Sequence, residues 1–515
     1  MQKNSKLLIL DCSLRDGGYY TNWDFPDSFV KEYLKRMNGL PVDYIEIGYR
    51  SIPKPGYLGA YYYSPPHILD LLIENSDKKL AVMLNSKDII GLDLENLMAP
   101  CIGKISMVRI AVATENLVEM PEIISKLKRM KFEVALNLMY LSKWWREPTF
   151  ISDLQLFSSN LDFLYLVDSY GGMLPSDVQQ IFKLFGEETD LELGFHAHNN
   201  LELALANSQM AIDHGAQIVD CTLTGMGRGA GNLKTELLLT VLNKNRSLDL
   251  DFDELSKAVS LFIPLKDQYQ WGTNLAYMVS GANSLPQQEV MGQISKRFYS
   301  LNSIVRGVDN RSKGIMDNLQ LREFYSKDKF SSALIIGGGP SSSDHAPGIL
   351  LFLKENKDIC VIHASSRNVV TYRELQGIQY HCLVGNEGHR LENSYSNLES
   401  GEKIAVLPPF PRTMGTYIPP ALEDSAFQLK GGVYMSRFPE SVTALAVETA
   451  KELGVKTFYF VGYDGYTQQI KPSELELFQE NEMIFEMMET SGEQFSALTP
   501  TKYTRLHQES VYSYL

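Results

Sequence analysis

The sequence predicts an α/β protein in two parts, an N-terminal (β/α)8 or TIM barrel with a helical appendage, and a C-terminal doubly wound, Rossmann-like domain. Three observations predict it. Eight short aliphatic or β-branched runs recur up to about residue 230, each followed by enough chain for a helix. The rhythm then lapses into helical spacing around Leu255, Val259 and Phe262. A second series of βα units resumes at Ala333.

The eight runs are Leu7–Cys12, Tyr44–Tyr49, Leu80–Leu84, Met107–Val112, Val134–Met139, Phe163–Val167, Leu191–Phe195 and Ile218–Leu223. Eight parallel strands alternating with helices close into a barrel, and the active site of such a barrel lies at the C-terminal ends of its strands. We therefore divide the chain into a catalytic barrel over 1–250, a helical appendage and linker over 251–325, and an α/β domain over 326–515. Strands of that last domain are expected at Ala333–Gly339, Ile359–Ala364, His381–Val384, Ile404–Leu407 and Thr457–Val461. Leu7–Leu10 reads as a buried strand and not as a signal sequence, because Asp11 ends the apolar run too early.

Composition narrows the function. A formal charge of -14 over 515 residues disfavours nucleic acid and anionic membrane as partners and favours a small molecule. The five cysteines show no CxxC spacing, which fits a reducing cytoplasm and neither a zinc ribbon nor a disulfide framework. No apolar stretch is long enough for a membrane span.

The most informative segment is Gly194-Phe195-His196-Ala197-His198-Asn199-Asn200. Residues i and i+2 of a strand point the same way, so His196 and His198 can offer one nitrogen each to one divalent ion. A third ligand is expected from Ser13-Leu14-Arg15-Asp16-Gly17-Gly18, at the end of the first strand. Two imidazoles and the Asp16 carboxylate with open positions suit Mn, Mg, Fe or Zn and leave room for a bidentate 2-oxo acid. Glu46 is an acid inside an apolar strand, which is costly unless paired, and a bond to Arg15 or to the metal site would explain it. Tyr20, Asn22 and Trp23 follow the first strand and are candidates to shape the pocket.

Ser13-Leu14-Arg15-Asp16-Gly17, His196-Ala197-His198 and Gly227-Arg228-Gly229-Ala230-Gly231-Asn232 resemble the three signatures of the metallolyase barrels that include 4-hydroxy-2-oxovalerate aldolase, HMG-CoA lyase and isopropylmalate synthase. The resemblance covers roughly residues 5–290, and the GRGAGN form is aldolase-like. It implies a pyruvate aldolase using Mn or Mg, with Arg15 stabilising negative charge on the substrate and Ser169, in Asp168-Ser169-Tyr170-Gly171-Gly172, seating the pyruvate carboxylate. Asn232 joins or supports the metal sphere, and Gly227–Gly231 let the backbone approach the ligand. The chain departs from the hydroxyoxovalerate aldolases at Tyr19, where they carry a His, so Tyr19 becomes the candidate acid-base group and the substrate need not be 4-hydroxy-2-oxovalerate.

In the second domain, Gly337, Gly338, Gly339 and Ser341 form a strand-to-helix turn that offers amides to a phosphate. It is not a dinucleotide fingerprint, since the third glycine is missing and the second strand ends at His363-Ala364-Ser365 without an acid for ribose. The leading reading is a divalent-metal-dependent aldolase that forms or cleaves a 2-oxo-4-hydroxy acid, fitting surface-sugar metabolism. Alternatives are a Claisen-type acyl-CoA condensation, or a glycan- or nucleotide-binding module on a scaffold barrel. The expected partners are a small 2-oxo acid and an aldehyde, with self-association into a homo-oligomer left open.

Overall fold

The computed structural model describes residues 6–147, 149–154, 160–296, 299–317, 319–326, 328–373, 375–394, 403–412, 414, 417–466 and 472–515. The chain divides into two compact units, the first ending at Met291 and the second beginning at Gly292.

The first unit is a closed barrel of eight parallel strands, β1 (Leu8–Asp11), β2 (Tyr44–Tyr49), β3 (Lys79–Asn85), β4 (Met107–Val112), β5 (Glu133–Leu138), β6 (Phe163–Asp168), β7 (Leu193–Ala197) and β8 (Ala216–Cys221). β1 pairs with β2 on one side and β8 on the other, which closes the sheet. Strand alternation decides what faces where. In β4, Val108, Ile110 and Val112 pack outward among the helices, while Met107 joins the inner core and Arg109 stacks on the inward-facing Tyr165.

The surrounding helices dock through one apolar stripe each. In Met120–Arg129 the buried residues Met120, Ile123, Ile124 and Leu127 fall at i, i+3, i+4 and i+7, and Lys126, Lys128 and Arg129 sit in the last turn beside the free carbonyls. Burial stabilises each such side chain by roughly 1.5–3 kcal/mol.

All eight expected runs are strands, with two displaced. The seventh lies over Leu193–Ala197 and the eighth over Ala216–Cys221, each two residues from its expected start. His196 therefore belongs to β7 itself. The division between the units falls inside the helix Gln287–Lys296, within the segment expected as appendage and linker. Before it, the helix Phe252–Tyr269 packs on the barrel through Phe262, whose ring meets Phe29 at 5.2 Å and Tyr33 at 5.7 Å.

The second unit carries a seven-stranded parallel sheet, β9 (Ser332–Ile336), β10 (Ile359–His363), β11 (Gln379–Cys382), β12 (Lys403–Leu407), β13 (Ala426–Gln428), β14 (Thr457–Val461) and β15 (Gln494–Ala497), in the order β13-β12-β11-β10-β9-β14-β15. Ala333 and Ile335 face one apolar layer and Leu334 and Ile336 the other, as a doubly wound sheet requires. The edge strands β13 and β15 were not expected, because three and four residues with glutamine among them leave no apolar run to read. Among the described residues no helix is long and apolar enough to cross a membrane.

Candidate metal centre

Asp11 ends β1 and anchors the helix beyond it. Its carboxylate accepts from Ser13 N at 2.9 Å, from Tyr33 Oη at 2.6 Å and from Thr235 Oγ1 at 2.6 Å, which holds the first turn of the helix Ser13–Thr21. Arg15 and Asp16, expected just past the end of the first strand, are thus presented by a helix over the barrel mouth.

The structure brings Asp16, His196 and His198 together. His196 Nε2 lies 3.7 Å from Asp16 Oδ2, and the two imidazole rings are 5.1 Å apart at 77°. His198 Nδ1 is 2.8 Å from the carbonyl of Ser169, which can only accept, so the proton sits on Nδ1 and Nε2 keeps its lone pair. His196 Nδ1 is held in the same way, 2.8 Å from Asp220 Oδ2. Burial pushes the His198 pKa down to about 3, so this ring is neutral and able to ligate across the physiological range. For Asp16, burial alone would raise the pKa, but Arg15 together with His196, His198 and Arg228 outweighs this and holds the carboxyl below its usual value.

Asn232 completes the arrangement. A backbone bridge joins it to His198, and its Nδ2 donates to Asp16 Oδ2. Its Oδ1 is buried and has no hydrogen-bond partner among the described residues, which is costly unless an ion takes it. Gly227 and Gly231 make the position possible. A Cβ on Gly227 would lie 2.5 Å from Asn232 Nδ2, and one on Gly231, at φ +77°, would lie 2.2 Å from the Gly225 carbonyl. These glycines let the loop fold back on itself.

The residues present fit a divalent ion. Two atoms each about 2.1 Å from a shared ion lie roughly 3–4 Å apart, which the Asp16–His196 separation meets. By distance alone Cys12 also groups with Asp16 and His196. Its thiol, however, is pushed well up by burial and by Asp16, and reaches Asp16 Oδ2 at 3.7 Å and the Cys221 carbonyl at 3.5 Å, which makes it a weaker candidate ligand than the neutral His198 ring.

Behind these side chains runs a buried chain of charge. Arg15 bonds Asp16 through one nitrogen and Glu46 through Nε at 2.8 Å. Glu46 Oε2 also accepts from Arg109 at 2.9 Å, and Arg109 in turn bonds Asp220, the partner of His196. The Arg109 guanidinium is fully buried and lies 4.2 Å from the Tyr165 ring centre. Glu46 thus has the Arg15 partner its sequence context called for. Arg109 and Asp220 escaped sequence reasoning, although both carry the signal that marked Glu46, a charge inside an apolar strand run.

A cavity of about 320 Å³ opens over this floor. Arg15, His196, His198, Tyr19, Tyr49 and Arg228 line one side, and Asn85–Asp88, Ala113, Glu115, Met139 and Tyr140 the other. The hydroxyls of Tyr19 and Tyr49 are 3.0 Å apart. Ser169 does not line the cavity. Its Oγ accepts from Tyr140 N at 2.8 Å, so its contribution is to fix that loop and, through its carbonyl, the His198 ring. Trp23 donates to the Arg15 carbonyl at 2.8 Å and packs on Tyr19 and Tyr49 outside the cavity, and Tyr20 packs against Tyr269 and Trp271.

In the second unit the turn amides of Gly337, Gly339 and Ser341 are spent within the chain. Gly337 N donates to Val461 O and Gly339 N to Gly462 O, both at 2.8 Å, and Ser341 donates to the Asp464 carboxylate through N at 3.1 Å and Oγ at 2.9 Å. A carboxylate of this protein stands where a phosphate would bind, and Gly338 borders a cleft of about 360 Å³ beyond it.

A parallel barrel with a carboxylate and two tautomer-fixed imidazoles at its C-terminal mouth presents the donor set of a metal-dependent enzyme. The HMGL-like family model matches residues 117–261. The 4-hydroxy-2-oxovalerate aldolase of Thermomicrobium roseum is 31% identical over 251 residues, 47% of this chain and 69% of that protein. The oxaloacetate decarboxylase of Mycobacterium tuberculosis is 24% identical over 319 residues, 58% of this chain and 90% of that protein. Among solved structures, the N-terminal domain of a candidate aldolase from Bacteroides vulgatus is 48% identical, covers 58% of this chain and 99% of its own, and superposes with a TM-score of 0.56. The chain belongs to the HMGL-like family, whose aldolases depend on a divalent metal.

Proposed function

We propose that the barrel is a pyruvate-type aldolase that forms or cleaves the carbon–carbon bond of a 2-oxo-4-hydroxy acid. The observation that carries this reading is the joining of Asp16 and His196 to the two ends of one buried charge chain through Arg15, Glu46, Arg109 and Asp220. Asp16, His196 and His198, with Asn232 at their side, would hold the ion, and Mn or Mg suits a set of carboxylate, imidazole and amide donors. Such an ion supplies Lewis acidity at a carbonyl.

The chain's own residues supply the rest. Arg15, fixed by Asp16 and Glu46, faces the cavity and can donate to the substrate oxygens that gain charge when a methyl proton leaves. Tyr19, braced by Tyr49, is placed to exchange a proton with the aldol hydroxyl. Asp220 and the Ser169 carbonyl hold the two imidazoles in the ligating tautomer.

The test is exchange of pyruvate methyl protons with solvent deuterium, followed by NMR. Exchange that requires added Mn or Mg and is lost in His196→Ala and Asp16→Asn is the expected result. Absence of exchange from protein shown to bind metal would overturn the proposal.

A further inference from the structure

The metal end of the cavity balances its own charge, and Arg228 stands outside that balance. Asp16, Glu46 and Asp220 give three carboxylates to the buried chain and Arg15 and Arg109 two guanidiniums, leaving one negative charge. A divalent ion turns this to one positive charge, which the carboxylate of a 2-oxo acid neutralises. Of the remaining charged residues that line the cavity, Lys87 and Glu115 are exposed and opposite in sign, and Asp88 is paired with Lys54.

Arg228 is different. It lines the same cavity, and among the described residues its guanidinium has no ion pair and no hydrogen-bonded carboxylate. It lies 4.3 Å from the ring centre of Tyr19, a contact that fixes its plane without cancelling its charge. Its loop is rigid. Gly231 N donates to the Arg228 carbonyl at 3.0 Å, and Gly272 N to the Gly229 carbonyl at 3.0 Å. Arg228 acts through space on Asp16 and His198, but no carboxylate pairs with it among the described residues, and a partly buried cation held so is costly unless a ligand brings the opposite charge.

We infer that Arg228 is a specificity-determining residue that recognises a second anionic group, a carboxylate or a phosphate, on the aldehyde half of the substrate. The inference rests on the aldolase reading and names the substrate class within it. Planar two-pronged donation by a guanidinium is the chemistry such oxyanions select.

The experiment compares anionic acceptors with neutral ones of the same carbon count for aldol addition by the metal-loaded full chain with pyruvate as donor. Succinic semialdehyde is set against butyraldehyde for the carboxylate, and glyceraldehyde 3-phosphate against glyceraldehyde for the phosphate. We expect at least one anionic acceptor to exceed its neutral counterpart in kcat/KM by roughly ten- to a hundred-fold, mostly through KM, which is the range for one charge-assisted contact. Arg228→Gln should collapse that ratio toward one, and Arg228→Lys should restore part of it. Calorimetric binding of 2-oxoglutarate against 2-oxobutyrate reads the same preference without turnover. Ratios near one in the unsubstituted protein, or a ratio that survives in Arg228→Gln, would overturn the inference. Deuterium exchange into pyruvate reports separately on the aldolase reading.

Discussion

His196 and Asp220 are joined at 2.8 Å, Nδ1 to Oδ2, and the carboxylate that orients the imidazole is itself bonded to the buried Arg109. The proposed metal ligand is thereby tied to the interior of the barrel. Its tautomer, its direction and its basicity all depend on a residue that never meets the substrate.

Replacing Asp220 by Asn should therefore weaken metal binding by about 10–100-fold. Titration of the metal-free protein with Mn, followed by calorimetry, checks this. An affinity unchanged within a factor of two would show that Asp220 has no part in orienting His196.

Arg109 offers a stability test of the same chain. Arg109→Leu would leave Glu46 and Asp220 buried with fewer partners, and breaking a buried pair costs about 3–5 kcal/mol. Urea unfolding should show the loss in the transition of the barrel unit. Arg109→Leu combined with Glu46→Gln should cost less than the sum of the single changes, because the two residues share one bond.

Tyr19→Phe removes the hydroxyl proposed to serve the aldol oxygen. Aldol addition should fall by about 10²–10⁴-fold, the usual contribution of a general acid-base group. Exchange into pyruvate, which needs no proton at that oxygen, should fall far less. A parallel loss of both would place Tyr19 in the architecture of the pocket alone.

In the second unit, burial pushes the His363 pKa down to about 4, and its ring stacks on His381, also pushed well down by burial. A histidine depressed in the folded state stays neutral while the unfolded chain takes up a proton near pH 6.5. The stability of this unit should accordingly be full above pH 6.5 and fall as the pH drops toward 4, by up to roughly 3 kcal/mol for one such group. His363→Gln, whose amide can still donate to Gln379, should flatten that slope in calorimetric scans. In the barrel unit, burial raises the Asp168 pKa to about 7, and this contribution runs the other way over the same interval.

Much of the barrel and of the grouping of Asp16, His196 and His198 was legible, the barrel in strand phase and the grouping in where each residue falls against a strand end. His196 and His198 share a side by spacing alone, and Asp16 follows the first apolar run. What was illegible depended on closure of the sheet. Nothing local says that Arg109 of β4 and Asp220 of β8 meet across the interior, or that the Ser169 hydroxyl is taken by the Tyr140 amide. The edge strands β13 and β15 were missed for a different reason, since an edge needs little apolar sequence to pair on one side.

The cavity walls come from opposite arcs of the barrel. Arg15 and Tyr19 lie on the helix after β1, His196 and His198 at the end of β7 and Arg228 in the loop after β8, while Asn85–Asp88, Glu115 and Tyr140 stand at and beyond the ends of β3, β4 and β5. The proposed acceptor contact, Arg228, shares its loop with Asn232 at the candidate ion site, so both tasks fall on one segment of the chain. A lineage of such barrels that reshaped this loop for a new aldehyde would have to do so around Asn232 and the glycines that seat it.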